Sequence, residues 1–303
     1  MNKGKKVTII IAFCCIATGI LLTVGAFAML NFDFSKLNNE NFKTNTYEID
    51  ETFSDITIND VECDLRLLKS TDGKCKVVCT ESDDIVNYIE VENDTLIVKR
   101  TDNRPWYDHV GIWWGNNLNV SIYLPQDTYN MLYLKSVSGD IYADEGFTFS
   151  EATALSTSGD ITFNSNAKDS LVIKSTSGDI ISHSKTAGKA TVKTTSGEIE
   201  ISNMTCNEII VYSTSGDIEL SSVTVAGNAE CKAVSGDIEL DYCDAATLDL
   251  KTTSGEINGT LMSPKNFITS TVSGDIKVPA SQLYTGDCYI ETTSGDVKVN
   301  IAE

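Results

Sequence analysis

Residues 156–161 read Ser156-Thr157-Ser158-Gly159-Asp160-Ile161. The Ser-Gly-Asp/Glu core of that stretch returns nine times, with serines at Ser138, Ser158, Ser177, Ser196, Ser215, Ser235, Ser254, Ser273 and Ser294. The intervals are 20, 19, 19, 19, 20, 19, 19 and 21 residues, a period that marks a repeat architecture. Three residues after each serine stands Ile141, Ile161, Ile180, Ile199, Ile218, Ile238, Ile257, Ile276 or Val297. Four and six residues before it the side chains are mostly apolar, as in Leu132/Leu134, Leu171/Ile173, Ile209/Val211 and Leu248/Leu250. Two residues before it the side chain is small, Ser, Thr or Ala. Alternation on both sides of a glycine corner gives two short strands per repeat, each with one buried face.

A unit this short cannot form a core alone, but stacked copies can. The expected fold is all-β, a parallel β-solenoid of about nine regular coils of 19–21 residues plus irregular leading coils, preceded by one N-terminal transmembrane helix. At a strand spacing of about 4.8 Å, nine coils span roughly 43 Å, and the leading coils extend the rod to about 50–60 Å. Length variation falls in segments such as 164–170, 183–189 and 221–228. No cap follows the last repeat, so an open strand edge is expected there.

The Thr/Val-Ser-Gly-Asp-Ile repeats, with Asp94-Thr95-Leu96-Ile97-Val98 and Val120-Ser121-Ile122-Tyr123-Leu124-Pro125 upstream, resemble the bacterial DUF4097 family. The resemblance covers about residues 45–303. It implies an exported or membrane-anchored β-solenoid of the kind named putative adhesin, and it carries little about activity.

Val7 to Leu30 is a run of 24 uncharged, mostly apolar residues behind Lys3, Lys5 and Lys6. At 1.5 Å per residue it reaches about 36 Å, enough for a hydrocarbon core of about 30 Å. The lysines place the N-terminus in the cytoplasm and the body outside. The expected layout is a cytoplasmic tail over 1–6, a transmembrane anchor over 7–30, a linker over 31–45 and a solenoid over 46–303. Within the solenoid, 46–134 holds irregular leading coils and an aromatic loop, and 135–303 holds the repeats. Ala26-Phe27-Ala28 keeps a cleaved signal peptide open as the alternative. The expected location is the cell membrane, single-pass, with the C-terminal body extracellular.

Lys+Arg total 23 and Asp+Glu 43, for a net charge of −20. Leaving out the three lysines ahead of the apolar run, the exported part carries 20 basic residues against 43 acidic ones. That balance argues against nucleic acid and bare anionic lipid as partners. The leading third lacks the repeat marker yet alternates like strand, and Asp72-Gly73 is a hairpin signal within it. Arg100 to Asn117 breaks the pattern and holds Arg104, Trp106, Tyr107, His109, Trp113 and Trp114. Those aromatics either pack over the solenoid or bind a glycan or protein partner at the cell surface, with Arg104, Trp106, Tyr107, Trp113 and Trp114 as candidate binding residues.

The repeat carboxylates Asp140, Asp160, Asp179, Glu198, Asp217, Asp237, Glu256, Asp275 and Asp296 form a ladder. Either each accepts a hydrogen bond in its own turn, or the ladder binds Ca²⁺. The calcium-solenoid signature G-G-x-G-x-D is absent from the sequence, so no cofactor or dedicated metal site is expected. No nucleophile elbow or partnered His accompanies the serines, and the acids are spread by repetition, so no enzymatic activity is expected. Cys231 and Cys288 fall on inward columns as buried thiols, Cys206 and Cys243 stand too far apart to pair, and Cys75 and Cys79 pair only if their strand bends. The resulting reading is a non-enzymatic, membrane-anchored extracellular adhesin or envelope scaffold. A regulatory component that meets another membrane protein and a carbohydrate-active enzyme are the alternatives.

Overall fold

The computed structural model of the chain describes residues 3–29, 42–104, 118–282 and 286–302. The chain divides into two compact units, Met1–Phe42 with Asn103–Asn117, and Lys43–Asp102 with Leu118–Glu303. In the first, a helix runs over Lys3–Met29. Its side chains are described continuously only over 15–25, and among the described residues no helix is long and apolar enough to cross a membrane.

The second unit is a mostly parallel β-solenoid. In each coil a longer strand runs into the Ser-Gly-Asp/Glu corner and a shorter one leaves it. The longer strands, such as Asn166–Lys174, Thr186–Thr194 and Thr205–Ser215, form one sheet. The shorter ones, such as Ile180–Ser182, Ile199–Ser202 and Ile218–Ser221, form the other. Like residues stack on like: Ile161 faces Ile180, Ile180 faces Ile199, and Ile173, Val192 and Val211 follow one another. The inward columns read from the sequence are buried apart from Ile276, and each buried Ile or Leu contributes about 1.5–3 kcal/mol. One end is filled by rings, with Tyr129 stacked between Phe53 and Phe149 at centroid distances of 5.8 and 6.1 Å.

The extra residue of the Ser215–Ser235 repeat is absorbed inside its long strand, and a second long strand, Asn166–Lys174, also carries a bulge. Register shifts between Ala167 and Ser170 and between Cys206 and Ile209 are bulges within the ladder, so the variable segments belong to the sheet. The second corner, from short strand to next long strand, uses positive φ at Asn203, Ser222 and Tyr242.

Coil order departs from chain order at both ends. Strand Asp55–Asn59 lies between Thr95–Asp102 and Thr128–Lys135, and Asp64–Lys69 lies between Asn119–Leu124 and Ile141–Ala143. The coil that begins at 95 therefore stacks outside the first one. At the other end, Asp287–Ser294 inserts between Ile238–Ser254 and Asn266–Ser273, and Val297–Ile301 between Ile257–Leu261 and Ile276–Lys277. The last repeat is thus interior, and the open edge expected beside it belongs to the Ser273 coil. Its Ile276 is 39% exposed where the equivalent Val297 is 1%. A segment after it returns over that edge, where the Ser281 hydroxyl accepts from the Phe267 N–H and donates to the Phe267 carbonyl.

The leading end is closed by antiparallel strands, Ile85–Glu92 on one sheet and Cys75–Glu81 with Lys43–Ile49 on the other. Asp72-Gly73 does turn the chain, with Gly73 at φ +74°, but it makes no hairpin. Strand Asn119–Leu124 sits between the two strands it joins. The hairpin of this region turns at Asn93-Asp94, both at positive φ, which suits a two-residue type I′ loop.

The corner glycines explain the repeat's strictest letter. A Cβ built on Gly159, Gly178, Gly197, Gly216, Gly236 or Gly255 would lie 2.0–2.3 Å from the carbonyl oxygen of the corner glycine in the preceding coil. None of these six has positive φ, so close approach and not backbone freedom requires glycine here. Gly178→Ala should destabilise the body by about 1–3 kcal/mol or more, read as a fall in thermal midpoint. Ser177→Ala, next to it and exposed, should change stability by less than about 0.5 kcal/mol.

Candidate functional site

The acidic ladder runs along the glycine corners, and its carboxylates reach across coils. The backbone N–H of Asp160 donates to Asp140 Oδ1 at 2.9 Å, that of Asp179 to Asp160 at 2.8 Å, and that of Glu198 to Asp179 at 2.9 Å. Asp237 and Glu256 repeat the pattern on Asp217 and Asp237, and Asp275 does so on Asp296. The partner is the next coil's amide, not the carboxylate's own turn. Asp64 heads the row by accepting from the Asp140 N–H at 3.0 Å, a member that lies outside any Ser-Gly-Asp triplet. At Glu198 and Glu256 the longer side chain makes no equivalent bond to Asp217 or Asp296 among the described residues. Also among the described residues, no group of three or more His, Cys, Asp or Glu is arranged to hold a metal ion.

Beneath the ladder, hydroxyls complete the corner in two ways. Ser136, Ser156 and Ser175 accept the N–H of Gly139, Gly159 and Gly178 at 2.9–3.0 Å. In later coils Thr252 and Thr292 instead donate to the carbonyls of Gly236 and Gly255. The hydroxyl two residues before the repeat serine, and the repeat acid, therefore have backbone work in most coils.

Two coils have no Ser-Gly-Asp/Glu corner, and the first, Asp55–Asn59 with Asp64–Lys69, turns in the four residues 60–63. In the second, strand Thr95–Asp102 and strand Asn119–Leu124 are joined by 103–118 where the repeat coils have Ser-Gly-Asp/Glu. Trp106, Tyr107, His109, Trp113 and Trp114 lie outside the described residues. Arg104 is described, buried and partnered. At the root of the insertion Arg100 is buried, its guanidinium 3.4 Å from Asp60, 3.2 Å from Glu62 and 3.7 Å from Asp102. Asp60 Oδ1 also accepts the N–H groups of Val61, Glu62 and Cys63 at 2.6–2.9 Å. Removing one member of such a buried pair costs about 3–5 kcal/mol, so the root is firmly held. Sequence reading missed Arg100 and Asp60, whose pairing spans forty residues.

The described cysteines are all unpaired, and every one in the solenoid is buried. Cys75 and Cys79 both point inward on one straight strand, so they do not meet. Burial pushes the Cys75 and Cys206 thiols up to about 11 and the Cys79 and Cys288 thiols up to about 12. His183 is exposed, with Nδ1 2.6 Å from the Ser202 hydroxyl. Glu81 is buried: burial raises its pKa, but hydrogen bonds from Asn45, Asn87 and Tyr47 outweigh this and leave it lowered.

The Toastrack DUF4097 family model matches residues 53–267. Among solved structures, a putative adhesin from Bacteroides fragilis shares 15% identity at a TM-score of 0.43, covering 86% of this chain and 97% of that one. A putative lipid binding protein from Parabacteroides distasonis shares 16% at a TM-score of 0.49, covering 86% and 97%. A putative cell adhesion protein from Clostridium sporogenes shares 10% at 0.27, covering 86% and 100%. Among curated proteins nothing matches.

Asp160→Ala should cost about 1 kcal/mol in unfolding measurements, because it strips the Asp179 N–H of its acceptor. Asp160→Asn should hold stability, since the amide oxygen still accepts. Glu198→Asp should raise the thermal midpoint by restoring a missing rung. Thiol titration at pH 8 should find the solenoid cysteines unreactive in the folded protein and reactive once it is unfolded.

Proposed function

The chain belongs to the DUF4097 (Toastrack) family, and from that membership we propose a membrane-anchored, extracellular β-solenoid that binds or scaffolds at the cell envelope without catalysing a reaction. The anchor is residues 7–30. Its support is the uncharged run of 24 residues behind Lys3, Lys5 and Lys6. The body outside the cell is a stiff column whose corner carboxylates are engaged with backbone, as a scaffold requires and an acid–base site does not.

The observation that carries the binding role is the long connection that replaces one corner. Every repeat-bearing coil closes with a short, tightly packed turn. The Thr95–Leu124 coil departs from this, carries all three tryptophans of the chain in its connection, and roots that connection on a buried Arg100–Asp60 pair, with Glu62 reaching Arg100 from the surface. Long irregular insertions on a rigid frame are where binding residues concentrate. Trp106, Tyr107, Trp113 and Trp114, with Arg104, form the proposed contact set for a glycan or protein partner. Where that partner is a second membrane protein, the same loop gives the solenoid a regulatory role.

In a pull-down from envelope extracts, full-length protein should retain partners that the combined Trp106→Ala, Trp113→Ala and Trp114→Ala variant loses by at least tenfold. Equal capture by both proteins would remove the loop from the account. Protease added to intact cells should cleave the body and leave the first residues protected.

A further inference from the structure

The net charge of −20 hides a segregation of charge by column. On the outer face of the long-strand sheet, the residue three before each repeat serine forms one row along the solenoid. Register places Lys99, Asn59, Lys135, Leu155, Lys174, Lys193, Tyr212, Lys232 and Lys251 in succession on that row. Six of the chain's 23 basic residues thus fall on a single line. At a strand spacing of about 4.8 Å, neighbouring lysines stand about 4.8 or 9.6 Å apart.

The two ends of the row differ. Lys232 is paired with Glu230 at 2.6 Å and Asp249 at 3.4 Å, and Lys251 with Glu291 at 2.9 Å. Lys99, Lys135, Lys174 and Lys193 make no ion pair among the described residues. Lys174 and Lys193 sit directly opposite each other in register, an arrangement that destabilises a sheet unless something neutralises it. The rows on either side are uncharged there, with Thr153, Val172 and Thr191 two residues before Leu155, Lys174 and Lys193, and Thr157, Thr176 and Thr195 two residues after them. Beyond those rows lie the carboxylates of the corner ladder on one flank and, on the other, Asp55 and Glu151, with Lys189 there neutralised by Glu208 at 2.8 Å.

We propose that the Lys99–Lys193 stretch of this row is a docking track for a thin, linear phosphodiester polymer of polyol or sugar units, laid parallel to the solenoid axis. Charge complementarity names the ligand as anionic and repeating. The narrowness of the strip requires a single slender chain, since a duplex would overlap the carboxylates on both flanks. Threonine hydroxyls beside the lysines suit hydroxyl-bearing units, and the rows offer no continuous aromatic platform for bases. The track is separate from the aromatic loop. It gives the envelope-binding reading a ligand class without depending on Trp106, Trp113 or Trp114.

The test is fluorescence anisotropy of labelled poly(glycerol phosphate) with full-length protein in mild detergent, across a salt series. Wild type should bind at low salt. The combined Lys135→Gln, Lys174→Gln and Lys193→Gln variant should bind at least tenfold more weakly, with the slope of log K against log salt reduced by about 2. Its thermal midpoint should hold or rise, because repulsion is relieved. Lys168→Gln with Lys185→Gln, exposed but off the row, should stay within twofold of wild type, as should the triple tryptophan variant. Loss of binding in the tryptophan variant alone would place the polymer on the loop and overturn the track. So would no binding by wild type, equal weakening by the off-row lysines, tighter binding of a single-stranded oligonucleotide of matched charge, or salt-sensitive self-association of the protein that the triple lysine variant abolishes.

Discussion

Successive corners approach so closely that no side chain fits between them, and the rest of the solenoid depends on this. A strand spacing of about 4.8 Å is set by hydrogen bonding. At the corner the chain turns inward, and the carbonyl of one glycine comes where the next glycine's Cβ would be. Glycine there is a steric requirement imposed by stacking. The rest of the motif follows from it. A small hydroxyl beneath the glycine satisfies its amide or its neighbour's carbonyl. An aspartate just after it reaches the following coil's amide. The isoleucine next along returns the chain to the buried column.

Much of this was legible because repetition writes the same constraint nine times. The Ile141-to-Val297 column, the paired apolar positions before each serine and the queue of corners all follow from alternation on each side of Ser-Gly. Coil order at the ends was not legible. Repeats that stack equally well on either neighbour carry no label for sequence, so insertion of 287–301 beneath the 266–277 coil leaves the pattern unchanged. Asp72-Gly73 misled for a related reason: a turn signal specifies a reversal but not whether the joined strands pair. Asp64 was missed because its coil lacks the glycine marker, and Arg100 because Asp60, its buried partner, lies forty residues away.

Charge shows how an average misleads. The excess of acids excluded anionic partners when summed over the chain, yet acids and bases occupy different columns. The corner holds carboxylates, whereas the row three residues before each serine holds lysines. That row is visible in the aligned repeats themselves. It escapes notice when charge is counted as a total and not as a position. In a solenoid each repeat position becomes a line on the surface, so one biased position makes a continuous stripe.

The central claim, that coils meet corner to corner with the last repeat interior, is tested most directly by disulfide formation between introduced cysteines on the exposed residue before the repeat serine. Thr253→Cys with Thr293→Cys lies on adjacent coils about 4.8 Å apart, within reach of a disulfide. Thr253→Cys with Val272→Cys lies two coils apart, at roughly 9–10 Å and out of reach. The account predicts that mild oxidation of the folded protein closes the first pair and leaves the second open. Closure of the second pair in preference to the first would contradict it.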